Sequence, residues 1–307
     1  MMTQTLALIG PTAVGKTDVS IELAKRLDAE IIGCDSMQVY RGMSRLATQP
    51  TPEQRAIVPH HLVDCIESTE PFNVGQYREL ALAAIRDIHQ RGRAALIVGG
   101  TGLYLKSLTD GLCEAPPVDE RIREELLAAI RAEGSAHLHA RLQGIDPQAA
   151  SKIHPNDARR VVRALEVYEL TGKPLSSFWE RDSTQRLPME LIGLTRERSE
   201  LYERINQRVE RMLGDAAVRE DARAALGLAL SHTARQVHGL RYLEAYLRGD
   251  ATREQTSARW KQQVRNYAKR QLIWFRADPR IRWISLGSDE PVGVIVDRIL
   301  ESVQVNQ

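Results

Sequence analysis

Two groups of residues carry chemistry on sight. The first is Gly10-Pro11-Thr12-Ala13-Val14-Gly15-Lys16-Thr17, which reads G-x-x-x-x-G-K-T. Glycines at this spacing let successive backbone N–H groups turn inward around phosphate oxygens, and a following helix adds its partial positive charge. Lys16 supplies a full charge to the terminal phosphates, and the Thr17 hydroxyl is placed to hold Mg²⁺. The ligand is therefore a diphosphate, whether of ATP, of GTP or of an isoprenoid. The second group is Asp35-Ser36-Met37-Gln38. An acid at the carboxyl end of a parallel strand lies where such sheets bind ligands, and its carboxylate suits a general base or a metal partner. A lone acid there also suits an Asx turn.

Elements must place these groups. Leu6–Ile9 reads as a short apolar strand, the glycine turn follows, and Lys16–Leu27 reads as a helix. Glu30–Cys34 is a second strand ending at Asp35, Leu62–Val63 a third, and Ala94–Val98 a fourth that stops at Gly99–Gly100. Gln76–Arg91 has helical period. Strands alternating with helices predict an α/β fold with a parallel sheet. No acid follows Val98, as the usual nucleotide-hydrolysing site requires, and Asp64 is a weak substitute. From Pro116 the chain becomes mostly helical. Val118–Arg131 puts Ile122, Leu126 and Ile130 on one face, and Asn156 or Asp157 caps a helix running to Leu170. Leu191–Leu194 returns to strand character and Ile281–Leu286 reads as a last strand. The expected organisation is a catalytic core of residues 1–115 and 189–307 with a helical insertion at 116–188.

Composition bounds the rest. The 307 residues are 43% hydrophobic and 27% charged, ordinary for a globular protein. Cys34, Cys65 and Cys113 are odd in number and far apart, which suits neither a disulfide framework nor a zinc site and points to the cytoplasm. Thr5–Ile9 is too short for a signal peptide, and no run reaches membrane length. Net charge is +2, but Lys and Arg outnumber Asp and Glu between 156 and 280. A basic half suggests a large acidic partner such as nucleic acid, against the plainer reading of a solvated Arg-rich surface.

Seven segments occur in an order that resembles the tRNA dimethylallyltransferase (isopentenyl-diphosphate:tRNA transferase) family. They are Gly10–Thr17, D-S-M-Q-V-Y at 35–40, P-H-H-L-V-D at 59–64, G-G-T-G-L-Y at 99–104, H-P-N-D-A-R-R-V-V-R-A-L-E-V at 154–167, L-Y-E-R-I-N-Q-R at 201–208 with T-R at 195–196 just before it, and A-K-R-Q-L-I-W-F-R at 268–276. The resemblance implies a P-loop NTPase-like core. It implies transfer of a dimethylallyl group from its diphosphate to N6 of the adenosine 3′ of the anticodon, with Mg²⁺, in tRNAs reading codons that start with U. Asp35 would then orient or deprotonate N6, Thr101 would position it, and Arg208 would neutralise the diphosphate held by the loop. Contact with the anticodon stem-loop would fall to Asp35, Ser36, Met37, Gln38, Thr101, Arg123, Arg159, Arg160, Arg163, Gly239, Arg241, Lys269, Arg270, Gln271 and Arg276.

Helical phase bears on these expectations. Leu201, Ile205, Val209 and Met212 form a stripe with Arg208 at its edge, and Arg204 and Arg211 further round. Arg265, Lys269 and Arg276 share one face, while Val264, Ala268, Gln271 and Phe275 share another. Tyr104 and Trp274 are candidates for stacking on a splayed base, or core residues. The chain departs from the family pattern at Leu46-Ala47-Thr48-Gln49-Pro50, where G-T-A-K-P is usual, and at Ala216, Leu240 and Val264. A monomer is the default expectation. The competing readings are a P-loop kinase, which needs no basic helical region, and a non-catalytic RNA-binding protein, which needs no intact Lys16, Asp35 or Arg208.

Overall fold

The structure, a computed structural model, describes residues 4–112, 115–179 and 186–304. Two compact units divide the chain, Met1–Thr109 with Pro188–Gln307, and Asp110–Leu187. The larger unit holds six strands: β1 (Thr5–Ile9), β2 (Ala29–Cys34), β3 (His60–His61), β4 (Ala94–Gly99), β5 (Glu190–Thr195) and β6 (Arg282–Ser285). Their order is β3-β2-β4-β1-β5-β6, and every pairing is parallel. All residues of β1 and β2 are buried. A parallel sheet covered on both faces requires such runs, because neither side of the strand meets water. The register aligns Ile9 and Cys34 with Gly99. Gly10, Asp35 and Gly100 therefore leave the sheet side by side at its carboxyl edge.

The helix after the glycine turn spans Lys16–Leu27, and a second spans Val74–Gln90, capped by Asn73 and Gln76 in a reciprocal box. The third strand differs from its expectation. It forms at His60–His61 because Leu62 (φ 58°) and Asp64 (φ 55°) adopt left-handed backbone and cannot continue a ladder. Asp64 turns away to pair with Arg55 at 3.6 Å. The helix Arg198–Gly214 buries Leu201, Ile205, Val209 and Leu213. Leu213, not Met212, completes the stripe, since a steady i+4 step drifts that way round the helix. The helix Arg253–Arg276 buries Trp260, Val264, Ala268, Gln271 and Phe275 along one face.

The smaller unit packs Ile122, Leu126, Leu138, Leu142, Val161 and Leu165 into its own core. Glu166 is fully buried there. Its carboxylate accepts from Arg163 at 2.8 Å, from Arg123 at 3.2 Å and from the Asp119 amide at 3.0 Å. Breaking a buried charge cluster by removing one partner is costly. Glu166→Ala is expected to cost about 3 kcal/mol in chemical denaturation. A loss below about 1 kcal/mol would show that the arginines find water at no cost.

Cys34 and Cys65 are free thiols, and Cys113 lies outside the described residues. Among the described residues, no helix is long and apolar enough to cross a membrane.

Candidate active site

The glycine loop departs from β1 with Gly10 at φ 152° and closes on the helix with Gly15 at φ 111°. A Cβ on Gly10 would stand 2.6 Å from the Leu194 carbonyl, so the neighbouring strand β5 demands glycine there. Ala13, with a side chain, also sits at φ 65°. Two arginines hold that strain in place. Arg204 donates to the Ala13 carbonyl at 3.0 Å and Arg196 to the Val14 carbonyl at 2.9 Å. Lys16 folds over the loop and donates to the Gly10 and Pro11 carbonyls, each at 2.9 Å. Burial pulls its pKa down to about 8, with Arg208 pushing the same way and Asp35 opposing.

Arg208 reaches the loop from the edge of its helix. It donates to the Thr12 hydroxyl at 3.3 Å and also to the Thr48 hydroxyl. Burial holds this guanidinium below its ordinary value and Asp35 pulls it up. Asp35 accepts from the Met37 amide at 2.9 Å, the Asx turn anticipated for it. Beside it the Thr101 hydroxyl accepts from the Ser36 amide at 3.0 Å, while the Gly100 and Thr101 amides donate to the Cys34 carbonyl at 3.1 and 3.0 Å. Thr12, Ala13, Gly15, Lys16, Thr17, Asp35, Gln38, Thr48, Arg208 and Gln271 all line one cavity of ≈ 460 Å³. An anion cradle, the half-buried cations Lys16 and Arg208 and a carboxylate thus share one space, which suits displacement of a diphosphate by a weak nucleophile.

A divalent cation is tested by its donors. Among the described residues no cluster of three His, Cys, Asp or Glu could cage one. The Thr17 hydroxyl at the cavity wall and the Asp35 carboxylate fit a cation that takes most of its oxygens from phosphate and water, as Mg²⁺ does.

Other expected residues are placed as follows. Tyr104 is 5% exposed and stacks on Tyr77 at 4.0 Å, which makes it core. Trp274 is 41% exposed and lies against Gly102, where a Cβ would meet its ring at 2.1 Å. Gly239 (φ 95°) lies so close to Trp260 that a Cβ would be 2.2 Å from the ring. Arg241 stacks on Tyr242 at 4.5 Å. Lys269, Arg270 and Arg276 are exposed on the outer face of Arg253–Arg276. Arg159 and Arg160 are exposed in the smaller unit, with Arg160 3.3 Å from Asp157. Gln271 is 5% exposed and uses both ends of its amide inside the protein.

Sequence reasoning missed Thr48, Arg204 and His238, and gave Arg196 no role although T-R at 195–196 belongs to the resemblance. Thr48 lies in the segment that departs from the family pattern, so resemblance steered attention away from it. His238 packs 4.3 Å from Tyr267, with both ring nitrogens buried and unpartnered. Burial pulls it down to about 4, so it is neutral near pH 7.

Comparison with known proteins identifies the family. Residues 38–278 match the IPP transferase family and residues 3–60 the isopentenyl transferase family. The chain is 41% identical to the tRNA dimethylallyltransferase of Carboxydothermus hydrogenoformans over 100% of this chain and 99% of that one. It is 42% identical to the tRNA dimethylallyltransferase of Geobacillus thermodenitrificans over 99% and 97%. Among solved structures, the tRNA isopentenylpyrophosphate transferase of Bacillus halodurans superposes with a TM-score of 0.69 at 39% identity, covering 98% of this chain and 97% of that one. A eukaryotic dimethylallyltransferase acting on tRNA superposes at 0.79 with 27% identity, covering 99% and 80%.

Proposed function

The chain belongs to the IPP transferase family, and on that premise we propose that it moves the dimethylallyl group of dimethylallyl diphosphate onto N6 of the adenosine 3′ of the anticodon in tRNAs reading codons that begin with U. The observation that carries this reading is the shared cavity, in which Asp35 faces the Lys16 and Arg208 cradle.

The new N6–C bond forms as the allylic C–O bond breaks, and the electron pair leaves on diphosphate. Adenine N6 is a poor nucleophile because its lone pair is delocalised into the ring. The Asp35 carboxylate, accepting a hydrogen bond from N6–H, raises electron density on nitrogen and takes the proton as the bond forms. Thr101 fixes the loop that carries Asp35. Negative charge grows on the departing oxygens, where the loop amides, Lys16 and Arg208 already wait. Mg²⁺, held by Thr17 together with the diphosphate, would neutralise further charge on the leaving group.

A target base inside the anticodon loop must be splayed out to reach this cavity. Trp274 offers an exposed ring beside the Gly99–Gly102 loop for stacking. Arg159 and Arg160 in the smaller unit, and Lys269, Arg270 and Arg276 in the larger, suit backbone phosphates. A tRNA substrate implies the cytoplasm as the place of reaction. Lys269→Ala is expected to weaken tRNA binding uniformly and to lower the salt slope of log Kd by about 1. An unchanged slope removes Lys269 from the phosphate contacts.

The decisive experiment follows label from radioactive dimethylallyl diphosphate into unmodified tRNA with Mg²⁺, beside an ATP control without isoprenoid. Label in tRNA is expected. ATP turnover without label would turn the reading to a kinase.

A further inference from the structure

The helix Arg253–Arg276 sends one polar residue inward among apolar neighbours. Gln271 is 5% exposed between Ala268 and Phe275. A buried amide is tolerated only when its hydrogen bonds are made, and these are made to two loops far away in sequence. Its Oε1 accepts from the Thr12 amide at 2.9 Å, and its Nε2 donates to the Gly100 carbonyl at 2.9 Å. Gly100 must be glycine for this contact, because a Cβ there would lie 2.1 Å from Nε2. The same side chain lines the cavity.

The two loops carry opposite ends of the reaction proposed above. Thr12 belongs to the diphosphate cradle and its hydroxyl accepts from Arg208. Gly100 precedes Thr101, whose hydroxyl holds the Ser36 amide next to Asp35. A continuous path therefore runs from Arg208 through Thr12, Gln271 and Gly100 to Thr101 and the Asp35 loop. Gln271 thereby occupies the Thr12 amide, which leaves donation to phosphate to the remaining amides of the loop. In a displacement, the nucleophile must sit on the line of the breaking bond within a fraction of an ångström. A brace between the leaving-group loop and the nucleophile loop sets that distance.

We infer that Gln271 is a positioning residue for the transfer step rather than a contact for tRNA. The inference rests on the prenyl-transfer reading, and it concerns the spacing of the two half-sites, not the affinity of either. Removing the brace lets each substrate bind while the reacting atoms drift out of line. Rate falls, and binding does not.

Two variants test it, each assayed with dimethylallyl diphosphate and unmodified tRNA. Gln271→Met keeps length and burial but makes neither hydrogen bond. Gly100→Ala leaves Gln271 intact and displaces the far end of its side chain. Each is expected to lower kcat about 100-fold. KM for dimethylallyl diphosphate and Kd for tRNA should stay within about threefold, because neither variant removes a binding group. The double variant should cost little more than either single change, since both break one brace. A tenfold loss of tRNA affinity with kcat retained would make Gln271 a tRNA contact and overturn the inference. So would wild-type kcat in both variants, which would make it a packing residue. If Gln271→Met fails to fold, Gly100→Ala alone decides. Wild-type protein that transfers no label would remove the function reading instead, before any variant is compared.

Discussion

Asp35→Asn is expected to lower kcat for dimethylallyl transfer by at least about 10³-fold while leaving tRNA affinity within about threefold. Asparagine has the shape of aspartate, and its carbonyl still accepts from the Met37 amide, so the turn after β2 survives. What disappears is the charge that, in the proposed transfer, draws the N6 proton and receives it. The carboxylate is held in place rather than free to wander. The Asp35–Ser36 segment is pinned by Thr101, and Thr101 by the Cys34 carbonyl. Asp35 also lies close enough to Lys16 and Arg208 to raise both their pKa values. Removing its charge takes a repulsive anion out of the cavity, which on its own favours diphosphate binding at a pH where Lys16 stays charged. A fall in kcat against unchanged or tighter diphosphate binding would separate the base from the cradle. A variant active within about tenfold of wild type would reduce Asp35 to the Asx turn that the sequence also allowed. Thr101→Ser keeps the hydroxyl that pins the loop and should retain most activity.

The parts of the site that local sequence could show are those built by consecutive residues. The run Gly10–Thr17 fixes a strand, a turn and a helix start, and Lys16–Leu27 appears as anticipated. Asp35 and Gly99–Gly102 fall at strand ends, and the sheet register carries them to one edge. Thr48 and Arg204 were not legible, because their partners lie across the fold. Arg204 supports Ala13 from 191 residues away and Thr48 meets Arg208 from 160. No periodicity encodes such a pairing. The third strand was misplaced because positive φ at Leu62 and Asp64 is set by tertiary contacts, and an apolar Leu-Val pair conceals it. Gln271 is the instructive residue. Helical phase set it with Val264, Ala268 and Phe275, the face that proves buried. Resemblance set it among the tRNA contacts. The phase of its apolar neighbours accounts for its burial, since burial is what holds the helix in place.

Lys16→Met is expected to lower kcat/KM for dimethylallyl diphosphate by about 10²–10³-fold, the order lost when one preorganised charge on a leaving group is removed. Its pH dependence offers a sharper check than the loss itself. Burial pulls the Lys16 pKa from 10.5 to about 8 because an ammonium loses hydration inside the loop. In the free enzyme the side chain is therefore charged below about pH 8 and neutral above it. The ratio of wild-type to Lys16→Met affinity for inorganic diphosphate, read by calorimetry, should be level below that pH and fall above it, since titration of the ligand itself cancels in the ratio. Bound diphosphate brings negative charge to the ammonium and raises its pKa, so the limb in kcat should lie at higher pH than the limb in kcat/KM. The neighbours predict the direction of each shift. Asp35→Asn removes the charge that raises the Lys16 pKa, so the limb should move to lower pH. Arg208→Gln removes a charge that lowers it, so the limb should move to higher pH. Stability runs the opposite way. A lysine whose folded pKa lies below its unfolded value opposes folding while it is charged, and that opposition is relieved as pH rises from about 8 toward 10.5. Wild-type protein should accordingly gain stability relative to Lys16→Met across that window, where it loses grip on diphosphate. A protein that lost both together would place the titration on some group other than Lys16. Divergence of the two would identify a cation held in the cradle at the expense of the fold, which is the arrangement that a site built around a departing diphosphate requires.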